Sequence, residues 1–124
     1  MKLHIKLVSL VAIAAIGGCR DKAANESSAL TGGIAARGRA EIQSYGCGAC
    51  HVIPGIPGAA GRVGPSLYDF GHQSFVAGVV ANTPPNLEAW IKDPPALSPR
   101  TAMPNLNVTD AQARDIAAYL YTLR

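Results

Sequence analysis

Aromatic residues are scarce, at 6% of the 124 positions, and charged residues make up only 15%. Low charge excludes a polyelectrolyte chain, and 48% hydrophobic content excludes a disordered one. A domain this small buries a limited fraction of its surface, so an enclosed apolar group would add usefully to its core. A clustered basic face is missing too. The formal charge is +3, but Lys2 and Lys6 fall in a leader-like segment; without them nine basic side chains face eight acidic ones. Nucleic-acid binding is therefore not expected, and long-range charge steering has no support. Cysteines number three, an odd count that leaves one unpaired in any simple disulfide framework. Beyond Met1 there is one methionine, Met103. The apolar run Leu7 to Ile16, broken by Ser9, is too short to span a bilayer comfortably.

Two of the cysteines stand in Cys47-Gly48-Ala49-Cys50-His51. Cys-x-x-Cys-His is the attachment signature of a c-type haem. Two sulfurs one helical turn apart can each form a thioether to a vinyl group, and His51 is then held beneath the iron as proximal ligand. Two other uses of such a pair exist. A thiol–disulfide oxidoreductase needs a βαβ context, and no Val/Ile-rich strand flanks the motif. A structural zinc site needs four ligands, normally from two spaced pairs, and only one pair is present.

The N-terminus reads as an export signal: Lys2 and Lys6 form a basic start and Leu7 to Ile16 an apolar core. The run ends in Ile16-Gly17-Gly18-Cys19, which resembles the bacterial lipoprotein box. The resemblance implies cleavage before Cys19 and a lipid on it; ordinary cleavage or an uncleaved anchor are the alternatives. Residues 1–18 are then a signal peptide. Residues 19–33, polar and small with no apolar period, are expected to be a flexible tether. The haem domain would occupy 34–124.

Within that domain the spacing predicts a helix over residues 34–45. Ile34, Gly38, Ile42 and Tyr45 share a face, and Thr31 is a candidate cap. Gly38 costs about 1 kcal/mol of helix stability relative to Ala; a glycine on an apolar stripe reads as permitting close approach of another backbone, with fraying near the helix start as the alternative. Residues 52–65 hold too many Gly and Pro for helix or strand and read as a loop with an apolar lining. A short helix is predicted near residues 74–79. His72, beside Gly71 and Gln73, reads as a solvated surface residue and is kept only as an alternative sixth ligand. Thr83 caps and Pro84 starts the next helix, which presents Leu87, Trp90 and Ile91 and stops at Asp93 before Pro94. Trp90 is expected in the core beside the haem. The last helix, about 110–123, opens on a Thr109/Gln112 capping box and carries an Ile116, Tyr119, Leu120 and Leu123 stripe.

Cys-x-x-Cys-His followed by Gly64-Pro65-Ser66-Leu67, a methionine loop and a Tyr-bearing final helix resembles a class I cytochrome c, over residues 34–124. The resemblance implies an all-α fold of about four to five short helices wrapped round one covalent haem c. It implies that the Pro65 carbonyl accepts from His51 Nδ1–H and that Leu67 packs on the haem. Met103 would supply the distal sulfur and Thr101 would bond a propionate. Gly38 would meet Ile116 and Tyr119 where the first and last helices cross. Two propionates would make the mature protein slightly acidic. More narrowly, Gly-Arg-Val-Gly-Pro-Ser-Leu, Asn82-Thr83-Pro84 and Trp90-Ile91-Lys92-Asp93-Pro94 are similar to the cytochrome c domain of subunit II of caa3-type oxidases, here without the copper-binding domain. The expected function is single-electron transfer between membrane respiratory complexes on the periplasmic side, toward a terminal oxidase, by a monomer or a subunit of a larger complex anchored through Cys19. A filled sixth position argues against catalysis. The alternatives are the thiol–disulfide oxidoreductase and a cytochrome subunit of a periplasmic dehydrogenase. Redox partners are expected to dock at an exposed haem edge ringed by Ile53, Ile56, Ala59 and Met103.

Overall fold

Helix α2 (Ala35–Ser44) and helix α5 (Asp110–Leu120) form the joint on which the rest is assembled. They belong to a computed structural model that describes residues 4–124, with side chains from residue 18 onward. Helix α1 (His4–Thr31) precedes them; α3 (Pro84–Lys92) and α4 (Pro94–Leu97) lie between them. Among the described residues the only strand pair is a hairpin, β1 (Phe75–Val76) and β2 (Val80–Ala81), so the all-α expectation holds with that one exception. The export-signal reading falls partly on residues 1–3 and on the side chains of 4–17, outside the described residues. Among the described residues no helix is long and apolar enough to cross a membrane.

Gly38 explains the α2–α5 crossing. A Cβ there would overlap the Asp115 carbonyl and press on the Ile116 amide, so only glycine lets the backbones touch. The expected contact with Ile116 is present. The nearest atoms at that crossing belong to Asp115 and Ile116, and the Tyr119 hydroxyl reaches the Pro54 carbonyl.

Asp115 has a second task. Ile34, the N-cap of α2, offers no side-chain cap, and its side chain is 45% exposed rather than on the buried face. The Asp115 carboxylate, only 4% exposed, accepts from the Ile34 amide at 2.6 Å and from Arg37 Nε at 2.8 Å and Nη2 at 3.2 Å. An anion facing free N–H groups at a helix start is favourable, and a buried carboxylate needs such partners. Thr31 does not cap α2. It ends α1, donating from Oγ1 to the Ser27 carbonyl at 2.9 Å.

Helix α5 opens as expected: Gln112 N donates to Thr109 Oγ1 at 3.3 Å and Thr109 N to Gln112 Oε1 at 3.1 Å. Its Ala113, Ile116, Ala117 and Leu120 are buried with Ile42, Leu87, Trp90 and Ile91 in one core. Thr83 caps α3, accepting from the Asn86 amide.

Two expectations are corrected. The segment 74–79 is a hairpin, not a helix. Ala77 (φ 52°) and Gly78 (φ 69°) both take left-handed backbone, and Val79 N donates to the Val76 carbonyl at 2.9 Å. That is a type I′ turn, which matches strand twist, and β-branched Val76, Val79 and Val80 favour it. Residues 19–31 are helical rather than a flexible tether. Their covered face is Ala23, Ser27 and Thr31, small and hydroxylated, so it leaves no apolar period to read.

Candidate haem site

Helix α2 ends at Tyr45, and Gly46 at φ 70° swings the chain into a 3₁₀ turn over Cys47–Ala49. Positive φ suits glycine, and this one sets the direction of the cysteine turn. The turn is closed by Cys50 N to the Cys47 carbonyl at 3.2 Å and His51 N to the same carbonyl at 3.1 Å. Cys47, Cys50 and His51 thus leave one short turn, all half-buried.

The loop that follows folds back on this turn through its backbone. Gly61 N donates to the Gly48 carbonyl at 3.1 Å, Gly64 N to that of Cys50 at 2.8 Å, and Leu67 N to that of Val52 at 2.9 Å. Glycine is required at the points of contact. A Cβ on Gly48 would strike Ala59, one on Gly61 the Ala49 carbonyl, and one on Gly64 the His51 imidazole.

His51 Nδ1 lies 2.7 Å from the Pro65 carbonyl oxygen. A carbonyl only accepts, so Nδ1 carries the proton and Nε2 keeps its lone pair for a metal. Such a bond fixes ring orientation and tautomer.

Two side chains hold the loop's far bend. Tyr119 Oη donates to the Pro54 carbonyl at 2.6 Å, and Arg39 reaches the Gly55 carbonyl from Nε at 3.1 Å and Nη2 at 2.9 Å. Burial pushes the Tyr119 hydroxyl above its ordinary range. Nothing in the sequence flagged this clamp, since donors and acceptors are far apart along the chain. It also corrects the expected docking edge: Ile53 (3% exposed) and Ile56 (7%) turn into the core, while Ala59 and Met103 are half-buried.

Met103 sits on the irregular segment between α4 and α5, partly packed against the core. Its amide donates to Thr101 Oγ1 at 3.2 Å, and the Thr101 amide donates to the Ser98 carbonyl at 3.0 Å. Thr101 therefore shapes the methionine loop, whatever else its hydroxyl donates to. Leu67 is half-buried against the core and Trp90 is inside it. Lys92 Nζ and Asp110 Oδ1, 2.5 Å apart, join α3 to the start of α5, and that bond holds the Asp110 carboxyl below its usual range. His72 is exposed, with Nδ1 2.6 Å from Asp69 Oδ1, away from the role of a buried ligand.

These residues fit a haem better than the rival uses. Among the described residues no three His, Cys, Asp or Glu converge to hold an ion; a porphyrin brings its own four nitrogens and asks the chain only for axial ligands. Burial pushes the Cys47 thiol up, whereas thiol–disulfide catalysis depends on a lowered one.

Comparison with known proteins agrees. The cytochrome c family model matches residues 35–124. Cytochrome c oxidase subunit 2 of Alkalihalophilus pseudofirmus is 34% identical over 92 residues, 73% of this chain and 26% of that protein. The same subunit of Bacillus subtilis is 30% identical over 104 residues, 81% of this chain and 29% of that protein. The chain thus spans between a quarter and a third of the length of these relatives. No solved structure matches it. A Cys-x-x-Cys-His turn, a proline carbonyl on its histidine and a family match across the whole helical domain lead to one conclusion: the chain belongs to the cytochrome c family, is an electron-transfer cytochrome, and has as its cofactor one haem c bound covalently through Cys47 and Cys50.

Proposed function

We propose that this cytochrome is an exported, lipid-anchored electron carrier with His51 and Met103 as axial ligands, passing single electrons to a membrane respiratory complex of the terminal-oxidase kind. The observation that carries the reading is the 2.7 Å bond from His51 Nδ1 to the Pro65 carbonyl, which leaves Nε2 free to ligate. Haem c, when bound, supplies a one-electron ferric/ferrous couple. His51 contributes a fixed, basic imidazole. Met103 contributes a neutral thioether, which favours ferrous iron and raises the potential. With both axial positions filled by the chain, no position is left for a substrate, so the protein is a carrier and not an enzyme. The half-buried Cys47 and Cys50 hold the cofactor, Leu67 and Trp90 line its pocket, and Thr101 shapes the methionine loop.

The partner is inferred from the relatives, which are named as oxidase subunits. Export and anchoring are inferred from residues 1–19, with Cys19 as the lipid-bearing residue and the periplasmic side as the destination.

Visible spectroscopy of the purified holoprotein tests the reading. A six-coordinate, low-spin spectrum is expected, with haem retained on a denaturing gel. Replacing Met103 by Ala should lower the potential and let added imidazole bind at the iron. An unchanged potential and an unchanged spectrum in that variant would remove Met103 from the site.

A further inference from the structure

The segment between Cys19 and the haem domain is not loose. Residues 20–31 continue α1 without a break and lie against α5. Their covered side is Ala23, Ala24, Ser27, Ser28 and Thr31, spaced by helical steps, with Ser27 at 0% and Thr31 at 6% exposure. Asp21, Lys22, Asn25, Glu26 and Leu30 form the wet side. Small side chains let this helix come close to its neighbour.

The far end is locked. Gly32, at φ 70°, turns the chain, and its amide donates to the Ser28 carbonyl at 2.8 Å. The Gly33 amide donates to Thr31 Oγ1 at 3.1 Å. Gly33 lies so near α5 that a Cβ would overlap the Arg114 carbonyl. From the other end of α5, Arg124 Nη1 reaches Glu26 Oε2 at 3.4 Å.

We propose that residues 20–31 are a rigid strut, docked on α5, that holds the haem domain at a short fixed stand-off from the bilayer. The proposal rests on the lipid-anchor reading of Cys19. From Cys19 to the fully buried Ser27 is about 12 Å of helix. A flexible chain over residues 19–33 would let the domain wander about 20 Å. A strut narrows the choice of partner. It favours a redox protein embedded in the same membrane, with its electron-entry site close to the surface, and disfavours a soluble protein met at a distance.

Hydrogen exchange on the full lipidated holoprotein, in vesicles of phosphatidylethanolamine and phosphatidylglycerol, tests this. Amides of residues 22–31 should exchange at least about tenfold more slowly than an unstructured chain. Exchange at the unstructured rate overturns the strut. Ser27→Arg forces a long cation into the covered face and should release protection across 20–31 while leaving the haem spectrum unchanged. Protection that survives the substitution overturns the docked face. The wild-type exchange decides the matter alone if that variant folds poorly. Mass spectrometry separates the two readings. Lipid on Cys19 with an unprotected helix refutes the strut only. A protected helix with no lipid on Cys19 refutes the anchor, and the stand-off with it.

Discussion

The two flanks of the haem site are held very differently. The cysteine side, residues 47–67, is fastened by backbone bonds between its own turns, by three glycines at points of contact and by the Tyr119 and Arg39 clamp. The methionine side, residues 98–108, is held by the Met103–Thr101–Ser98 bonds and by the Asn107 amide donating to Asn105 Oδ1 at 2.8 Å before Val108 is buried; Pro104 to Asn107 are exposed. The histidine turn is therefore over-determined and the methionine loop lightly held. On the proposed ligation by His51 and Met103, retention of the cofactor and tuning of the iron would fall to separate parts of the chain. Substitutions on the first flank should cost fold, and those on the second should cost ligation.

The sharpest way to break that contrast is at Gly64. Gly64→Val places a branched side chain in the His51 ring and should cost about 3 kcal/mol of stability, read as the denaturant midpoint of the holoprotein. A midpoint close to wild type would mean that the cysteine flank yields easily. Met103→Ala comes next. Loss of a half-buried methionine should cost about 2 kcal/mol, yet covalent haem should remain in full on a denaturing gel. Haem loss would show that the flanks are not separable.

Tyr119→Phe should cost about 1 kcal/mol by leaving the Pro54 carbonyl without its donor, without admitting added imidazole to the iron. The same hydroxyl sets an alkaline limit. Burial raises Tyr119 above its ordinary range and pushes Tyr121 up to about 12. The folded protein keeps these protons where the unfolded chain gives them up. Their contribution is thus whole below pH ~10 and falls as the pH climbs toward 12. Urea midpoints taken at rising pH should drop less steeply in Tyr119→Phe and in Tyr121→Phe than in wild type. The smallest effect is expected from Thr101→Val, about 0.5 kcal/mol. It should appear less as lost stability than as roughly twofold tighter imidazole binding.

What the sequence disclosed is what neighbouring residues decide among themselves. Cys47 to His51, the Thr109/Gln112 box and the Thr83–Pro84 helix start are local patterns, and each is present. Gly38 was legible as a point of close approach because it stands on a core stripe, and its contact with the Asp115 carbonyl decides against simple fraying. The Pro65 carbonyl came from family resemblance, and His51 Nδ1 lies 2.7 Å from it. The Asp115 cap on Ile34 was invisible, because the two residues are 81 positions apart and an aspartate inside a helix reads as surface. The docked face of α1 was missed because alanine, serine and threonine carry no hydropathy signal. The hairpin at 75–81 was mistaken for a helix because its turn uses Ala77 in left-handed backbone, which alanine rarely adopts.

Asp115 carries one more consequence, for how the two ends of the domain depend on each other. The helix just before the cysteines has no cap of its own and borrows one from near the end of the chain. The start of α2 thus gains this stabilising anion, worth about 1 kcal/mol, only once α5 has docked on it. The helix that leads into Cys47 and Cys50 is firmest when both ends of the domain are joined.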